Sequence, residues 1–160
     1  MKGTYLLVLQ LKNPVEQLRI GRLGSFDFAP GYYLYIGSAF GPGGLAARLA
    51  RHQAQIKARP HWHIDYLRSH AELLEMWVVG HSTKLEQSWC TSLLQAPELQ
   101  VPIPGFGASD TPCMSHLFYT PKYPHVRLLS HWLFQIFPLE IPLKEEVIIE
   151  ILSGSAIKPT

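Results

Sequence analysis

The chain has 160 residues and a mass of 18.1 kDa, which fits one domain or one domain with a small appendage. Hydrophobic residues make up 47% and charged residues 16%, which excludes an intrinsically disordered chain and leaves ample apolar surface for a core. The net charge of +2 lacks the overall basicity typical of a general nucleic-acid binder.

Strand patterns dominate the first forty residues. Residues 4–11 are a nearly unbroken apolar run that ends at Asn13-Pro14, which predicts a strand buried on both faces. Glycine-flanked segments then predict a short hairpin, and an aromatic-rich segment precedes a loop of four glycines and one proline. The predicted strands are residues 4–11, 17–20, 24–28, 32–36, 75–80 and 116–120.

Helical periodicity begins after the glycine-rich loop, and prolines separate most of the later segments. The predicted helices are residues 45–56, 63–70, 82–95, 128–137 and 143–152. In the first helix, Leu45, Leu49 and Ile56 form one apolar stripe. His52 lies inside this stripe and Arg48 on its border, and inward polar groups are costly unless they have partners.

Glu86 is another polar side chain on a predicted apolar helix face. Leu85, Trp89 and Leu93 define the apolar arc of the third predicted helix, and Glu86 projects inside that arc. A carboxylate there has either a metal or a strong hydrogen-bond partner. The alternative is a capping box, Thr83-x-x-Glu86, in which the carboxylate reaches back to a backbone amide. The spacing leaves both readings open.

Charge is concentrated in residues 45–68. This segment contains five cationic residues and one acidic residue, Asp65, and Trp62 and Tyr66 are interleaved with the cations. This pattern fits either a phosphate-binding patch or a solvated helix face. Residues 1–138 carry 12 basic and 8 acidic groups, whereas residues 139–160 carry 2 basic and 4 acidic groups. The acidic C-terminal segment therefore lowers the net charge of the chain below that of residues 1–138. The five cations are Arg48, Arg51, Lys57, Arg59 and Arg68.

The two cysteines, Cys90 and Cys113, lack CxxC spacing, which argues against a disulfide framework and favours a reducing cytoplasm. We also expect no signal peptide and no membrane span, since no small-residue cleavage site follows the N-terminus and no apolar stretch approaches roughly 18 residues. The histidine pair His61 and His63, with either cysteine, offers an alternative zinc site, but we find no second closely spaced ligand pair.

Several motifs together resemble those of the GIY-YIG nuclease superfamily, in the order strand, strand, helix, strand, helix. They cover roughly residues 3–95 and are Gly3-Thr4-Tyr5, Tyr35-Ile36-Gly37, Leu45-Ala46-Ala47-Arg48, His52 and Glu86. Three further segments resemble one uncharacterised branch of that superfamily, in which some members are fused to endonuclease III. These segments extend the resemblance to about residue 120 and are His61-Trp62-His63-Ile64-Asp65-Tyr66, residues 104–110 and Ser115-His116-Leu117-Phe118-Tyr119.

The resemblance implies a metal-dependent endonuclease that hydrolyses phosphodiester bonds in DNA, with a role in DNA repair. It implies one Mg²⁺ (or Mn²⁺) on Glu86, phosphate held by Arg48, and an attacking water oriented or deprotonated by Tyr5 or Tyr35 with help from His52. The predicted catalytic residues are thus Tyr5, Tyr35, Arg48, His52 and Glu86. The predicted substrate-binding residues are Gly37, Ser38, Arg51, His61, His63, Asp110 and His116.

The chain departs from the superfamily pattern at three points. Thr4 replaces an isoleucine, residues 12–30 look like an inserted hairpin, and the asparagine that follows the metal-binding helix is missing, since Asn13 is the chain's only asparagine. Asp110 and His116 are the candidates for the place of that asparagine. The missing asparagine and the modest charge motivate the alternative of a non-catalytic nucleic-acid-binding module on the same fold.

The resulting fold expectation is α/β (α+β): a small central, mostly antiparallel sheet flanked by helices, with an inserted β-hairpin. We expect a nuclease-like domain over residues 1–120. A helical extension over residues 121–160 would either pack on this domain or form a homodimer contact through an apolar patch at Trp132, Leu133 and Phe134. The expected partners are DNA and a repair protein, with no membrane.

Overall fold

The computed structural model describes residues 1–54, 59–108, 112–133 and 149–154. The fold is α+β, with a five-stranded antiparallel sheet and a separate two-stranded sheet, as the sequence predicted. The elements in chain order are β1 (Gly3–Leu11), β2 (Val15–Ile20), β3 (Gly24–Phe28), β4 (Gly31–Ala39), α1 (Gly44–Gln53), α2 (His63–Arg68), β5 (Glu72–Gly80), α3 (Glu86–Leu93), β6 (Leu117–Thr120), α4 (Val126–Leu133) and β7 (Glu150–Ser153).

The apolar run that predicted a doubly buried strand is β1, the centre of the sheet order β6-β4-β1-β5-β7. Its alternating side chains supply two cores. Tyr5, Leu7 and Leu9 join the core beneath α1 and α2. Leu6 and Val8 join the core beneath α3 and α4. A helix layer on each face explains why both sets of positions are apolar.

The predicted hairpin is the two-stranded sheet β2-β3, which packs against the first core through Ile20 and Phe28. Gly21 and Gly24 in its turn have φ angles of +48° and +130°, a region that L-residues with side chains rarely adopt. This confirms the hairpin between the two strands, β1 and β4, that carry the tyrosine motifs.

Several predicted helix boundaries were wrong. α3 begins at Glu86 rather than at residue 82. α1 ends at Gln53, and residues 55–58 lie outside the described part. The last predicted helix was wrong at its end, because Glu150–Ser153 is the edge strand β7, paired with β5. Pairing with β5 determined that this segment is a strand, because its apolar residues fit the spacing of a helix and also that of a strand with one face covered.

α4 packs against the core formed by the preceding elements of the same chain. Leu129 and Leu133 are 2% and 1% exposed and pack into the core that contains α3. Trp132 packs partly buried against the same core, and Phe134 lies outside the described residues. The apolar patch expected at Trp132 and Leu133 is therefore turned inward.

The cysteine spacing gave a wrong expectation, because Cys90 and Cys113 are joined as a disulfide with their Cα atoms 6.4 Å apart. Packing places α3 beside the segment before β6, although 23 positions separate the two residues in the chain. In the part of the chain that the structure describes, we find no helix long and apolar enough to cross a membrane.

Candidate functional site

A cleft of about 360 Å³ opens where α1, α3 and the segment before α2 meet the ends of β1 and β4. It brings together four of the five predicted catalytic residues: Tyr5, Tyr35, Arg48 and Glu86. The complete lining is Tyr5, Tyr35, Gly37, Ser38, Arg48, His61, Trp62, His63, Lys84, Glu86, Gly107 and His116.

The sheet register puts the two tyrosine motifs side by side, because Tyr5 on β1 pairs with Gly37 on β4. A Cβ at position 37 would overlap the phenol ring of Tyr5. Glycine is therefore required here for the close approach of the Tyr5 ring to the strand backbone.

The fifth predicted residue, His52, lies behind Tyr5 rather than on the cleft wall. It is fully buried, and its Nε2 is 2.8 Å from the Tyr5 hydroxyl oxygen. Burial raises the pKa of Tyr5 well above its ordinary value, while the nearby Arg48 opposes part of that rise. Burial likewise raises the pKa of Tyr35. Both phenols are therefore protonated at neutral pH and act as hydrogen-bonding groups.

Glu86 is the first residue of α3, and its carboxylate faces the cleft between two polar side chains. The Ser38 hydroxyl donates a hydrogen bond to Oε2, and His116 Nδ1 lies 3.2 Å from Oε1. The capping-box reading is wrong, because these are the carboxylate's partners and the Thr83 N–H donates to His81 Nδ1 instead. Burial lowers the pKa of His116, while Glu86 counteracts part of that effect.

Arg48 reaches the cleft along the face of an indole ring. Its guanidinium carbon lies 4.4 Å from the Trp62 ring centroid, and that of Arg51 lies 4.3 Å from the same centroid. Such cation–π contacts restrict a flexible arginine side chain without neutralising it. Arg51 does not line the cleft; it donates a 2.8 Å hydrogen bond to Asp65.

Asp65 organises the segment that carries Trp62. Its side chain is fully buried and accepts hydrogen bonds from the backbone N–H groups of His61 and Trp62 at 2.8 and 2.9 Å, besides the bond from Arg51. A carboxylate with three donors offsets much of the cost of its burial. Within the basic stretch, the described residues Arg51, His61 and Trp62 are therefore held together by Asp65 beside the cleft, so this part is not only a solvated face.

Five of the remaining predicted residues line the cleft, and one cannot be placed. Gly37, Ser38, His61, His63 and His116 all line it. Asp110 lies outside the described residues.

His63 joins the cleft to a neighbouring loop. Its Nδ1 accepts the Gly107 N–H at 2.8 Å, and burial lowers the pKa of its imidazole. Sequence reasoning noted Trp62 only as an aromatic residue among the cations, and it missed Lys84 and Gly107 as cleft residues. Their signals were a cation two positions before Glu86 and a glycine in the segment 104–110. Gly107 has φ +66°, and a Cβ there would lie 2.9 Å from the Tyr35 ring.

Comparison with known proteins places the chain in a family. Residues 4–137 match the family model described as Domain of unknown function DUF123. The chain belongs to this family. We found no match among curated proteins and none among solved structures. The DUF123 match includes every residue of the cleft and continues through α4.

The polar atoms of the DUF123 cleft suit a hard cation. Among the described residues that line it, Glu86 is the only carboxylate, and the Ser38 hydroxyl is its neighbour. Carboxylate, hydroxyl and water oxygens are the ligands that Mg²⁺ prefers. Arg48 and Lys84 add positive charge that suits a phosphate. A larger cavity of about 540 Å³ beside α4 is mainly apolar and brings no comparable set together.

Proposed function

We propose that this DUF123 chain is a metal-dependent endonuclease of the GIY-YIG type that hydrolyses phosphodiester bonds in DNA. One observation carries the proposal: Tyr5, Tyr35, Arg48 and Glu86, separated by up to 81 positions in the chain, converge in a single cleft. We also propose a cytoplasmic location and delivery to DNA by a repair partner.

In this proposal Glu86 holds Mg²⁺ or Mn²⁺, which supplies Lewis-acid stabilisation of charge on the phosphate and the leaving oxygen. Arg48 binds the phosphate oxygens, and its contact with Trp62 holds the guanidinium ready before substrate arrives. Ser38 orients the carboxylate through its hydrogen bond to Oε2.

Tyr5 and His52 act together on the attacking water. With the His52 proton on Nδ1, the Tyr5 hydroxyl donates to Nε2 across 2.8 Å, and its oxygen, which also accepts from the Arg48 side chain, has a second lone pair to accept a proton from water. Because the raised pKa of Tyr5 keeps its phenol neutral, Tyr5 positions the water and relays a proton to the buried imidazole as the bond forms.

A second function is favoured by the environment of Glu86. Both carboxylate oxygens already contact protein groups, Ser38 and His116, which fits a domain that binds nucleic acid without cutting it. The positive charge of Arg48 and Lys84 would serve such a binding module equally well.

The deciding experiment incubates the full chain with supercoiled plasmid and with branched DNA, in Mg²⁺ or Mn²⁺. We expect cleavage that falls roughly 10²-fold or more in Glu86→Ala. Glu98→Ala, which removes an exposed carboxylate elsewhere, should cleave at the parent rate. Equal cleavage by Glu86→Ala would refute the metal role. DNA binding without cleavage of any substrate would establish the binding module instead.

A further inference from the structure

Two sulfurs and an imidazole nitrogen meet in the protein interior behind the cleft. The ligand atoms of Cys90, Cys113 and His116 all lie within 4.8 Å of one another. These residues are 0%, 7% and 1% exposed. A disulfide joins the two sulfurs, and the His116 imidazole, which also contacts Glu86, lies beside them.

We propose that, in its dithiol state, the chain binds one Zn²⁺ through Cys90, Cys113 and His116. Two of the ligands form the pair Cys113-x-x-His116, and the third comes from α3, which is the pattern of a close pair plus a distant ligand. On binding, each thiol releases one proton and Zn²⁺ takes two thiolates and a neutral imidazole, with water in the fourth position.

The distances suit this ligand set. Tetrahedral Zn²⁺, with bonds of about 2.3 Å to sulfur and about 2.0 Å to nitrogen, holds neighbouring ligand atoms roughly 3.5–3.8 Å apart. The His116 nitrogen lies within 4.8 Å of both sulfurs, and the two sulfurs, bonded to each other in the disulfide, would move apart to that separation after reduction.

With Zn²⁺ on His116 Nε2, Glu86 supplies the outer contact that a ligating histidine normally has. A metal-bound imidazole usually donates its second ring N–H to a carboxylate or carbonyl, and His116 Nδ1 lies 3.2 Å from Glu86 Oε1. The zinc would therefore tie α3 to the segment before β6 and fix His116 against Glu86. This inference does not rest on the proposed nuclease activity.

The test uses Co²⁺ as a spectroscopic probe on the full chain. A phosphine reductant converts the disulfide to two thiols, with one water consumed and one phosphine oxide formed, and Co²⁺ is then added without oxygen. We expect one equivalent to give sulfur-to-cobalt absorption in the near ultraviolet and tetrahedral bands in the visible. One equivalent of Zn²⁺ should abolish both. Reduced protein without these bands would overturn the proposal.

Matched variants assign the ligands. Cys90→Ser, Cys113→Ser and His116→Asn should each weaken binding roughly 100-fold or more, and Glu86→Gln about 10–100-fold. Loss of the bands in the double variant His61→Asn/His63→Asn would place the site elsewhere and refute the assignment. Circular dichroism checks that each variant is folded. If a serine variant does not fold, a thiol-modifying reagent is added instead to the reduced, Zn²⁺-loaded parent chain, and we expect Zn²⁺ to be released. If no Zn²⁺ is released, the thiolates are not ligands. Arg48→Ala should bind Co²⁺ normally, which separates this test from that of the nuclease.

Discussion

Thr4 and Leu85 are joined by a buried hydrogen bond across 81 positions of the chain, with the Leu85 N–H 3.0 Å from Thr4 Oγ1. Leu85 occupies the N-cap position of α3, one residue before Glu86. Thr4, the residue at which the chain differs from the GIY-YIG motif that it resembles, therefore satisfies a helix-terminal amide and fixes the start of α3 against β1. Isoleucine at this position would leave that amide without its acceptor.

Thr4→Val tests this anchor, since valine keeps the shape and removes the acceptor. We expect the free energy of unfolding to fall by about 1–2 kcal/mol, because a buried N–H loses its partner. Urea denaturation measures the change. Thr91→Val on the exposed side of α3 is the control and should stay within about 0.5 kcal/mol. Equal effects of the two substitutions would contradict the anchoring role.

Gly37→Ala tests the close approach of Tyr5 to β4. The added methyl would overlap the phenol ring, so we expect a loss of about 1–3 kcal/mol in unfolding free energy together with displacement of Tyr5 and loss of any DNA cleavage. Gly41→Ala is the matched control, because a Cβ there meets no atom within 4 Å. If the Gly37→Ala chain were as stable and active as the parent, the ring would not be held there.

Asp65→Ala should be strongly destabilising. It leaves Arg51 and two backbone N–H groups without their buried acceptor, and we expect a cost of about 3–5 kcal/mol in urea denaturation. Glu72→Ala, which breaks a surface ion pair with Lys12, should change stability by less than about 1 kcal/mol. A small effect at Asp65 would mean that water replaces the carboxylate.

Trp62 positions Arg48, so Trp62→Leu should weaken metal-free DNA binding several-fold, whereas Trp62→Phe, which keeps an aromatic face, should retain most of it. Fluorescence anisotropy with labelled DNA measures both. In the background of Arg48→Ala, Trp62→Leu should have little further effect, since the group it positions is gone. Additive losses would show that Trp62 acts on DNA independently of Arg48.

Acid should destabilise the fold before the carboxylates titrate. Burial holds the pKa values of His63 and His116 below the ordinary 6.5, so the unfolded chain binds protons first as pH falls. Stability present above pH 6.5 is then lost below it. Urea denaturation at pH 7.5 and 5.5 should show this fall, and the variant His63→Asn/His116→Asn should show a smaller one. An identical fall in the variant would assign the effect to other groups.

Local pattern determined much of the fold. The unbroken apolar run of β1 requires cover on both faces, and the glycines at 21 and 24 permit the turn of the β2-β3 hairpin; both were predicted and confirmed. Such features depend on neighbours along the chain, and those are visible in the sequence. Where a segment fits two patterns, as at Glu150–Ser153, only pairing with β5 decided that it is a strand.

For the candidate site, the sequence identified the unusual residues, and the tertiary structure determined their partners. The sequence marked Glu86 and His52 as polar groups on apolar arcs, but for Glu86 it left a capping box and a functional carboxylate equally open. The fold excluded the capping box by bringing Ser38 from β4 and His116 from the segment before β6 to the Glu86 carboxylate, and the functional role stays a prediction. The meeting of Cys90 with Cys113 and the burial of Asp65 also escaped prediction. Each depends on which surfaces pack together across long stretches of chain, and neither spacing nor periodicity encodes that.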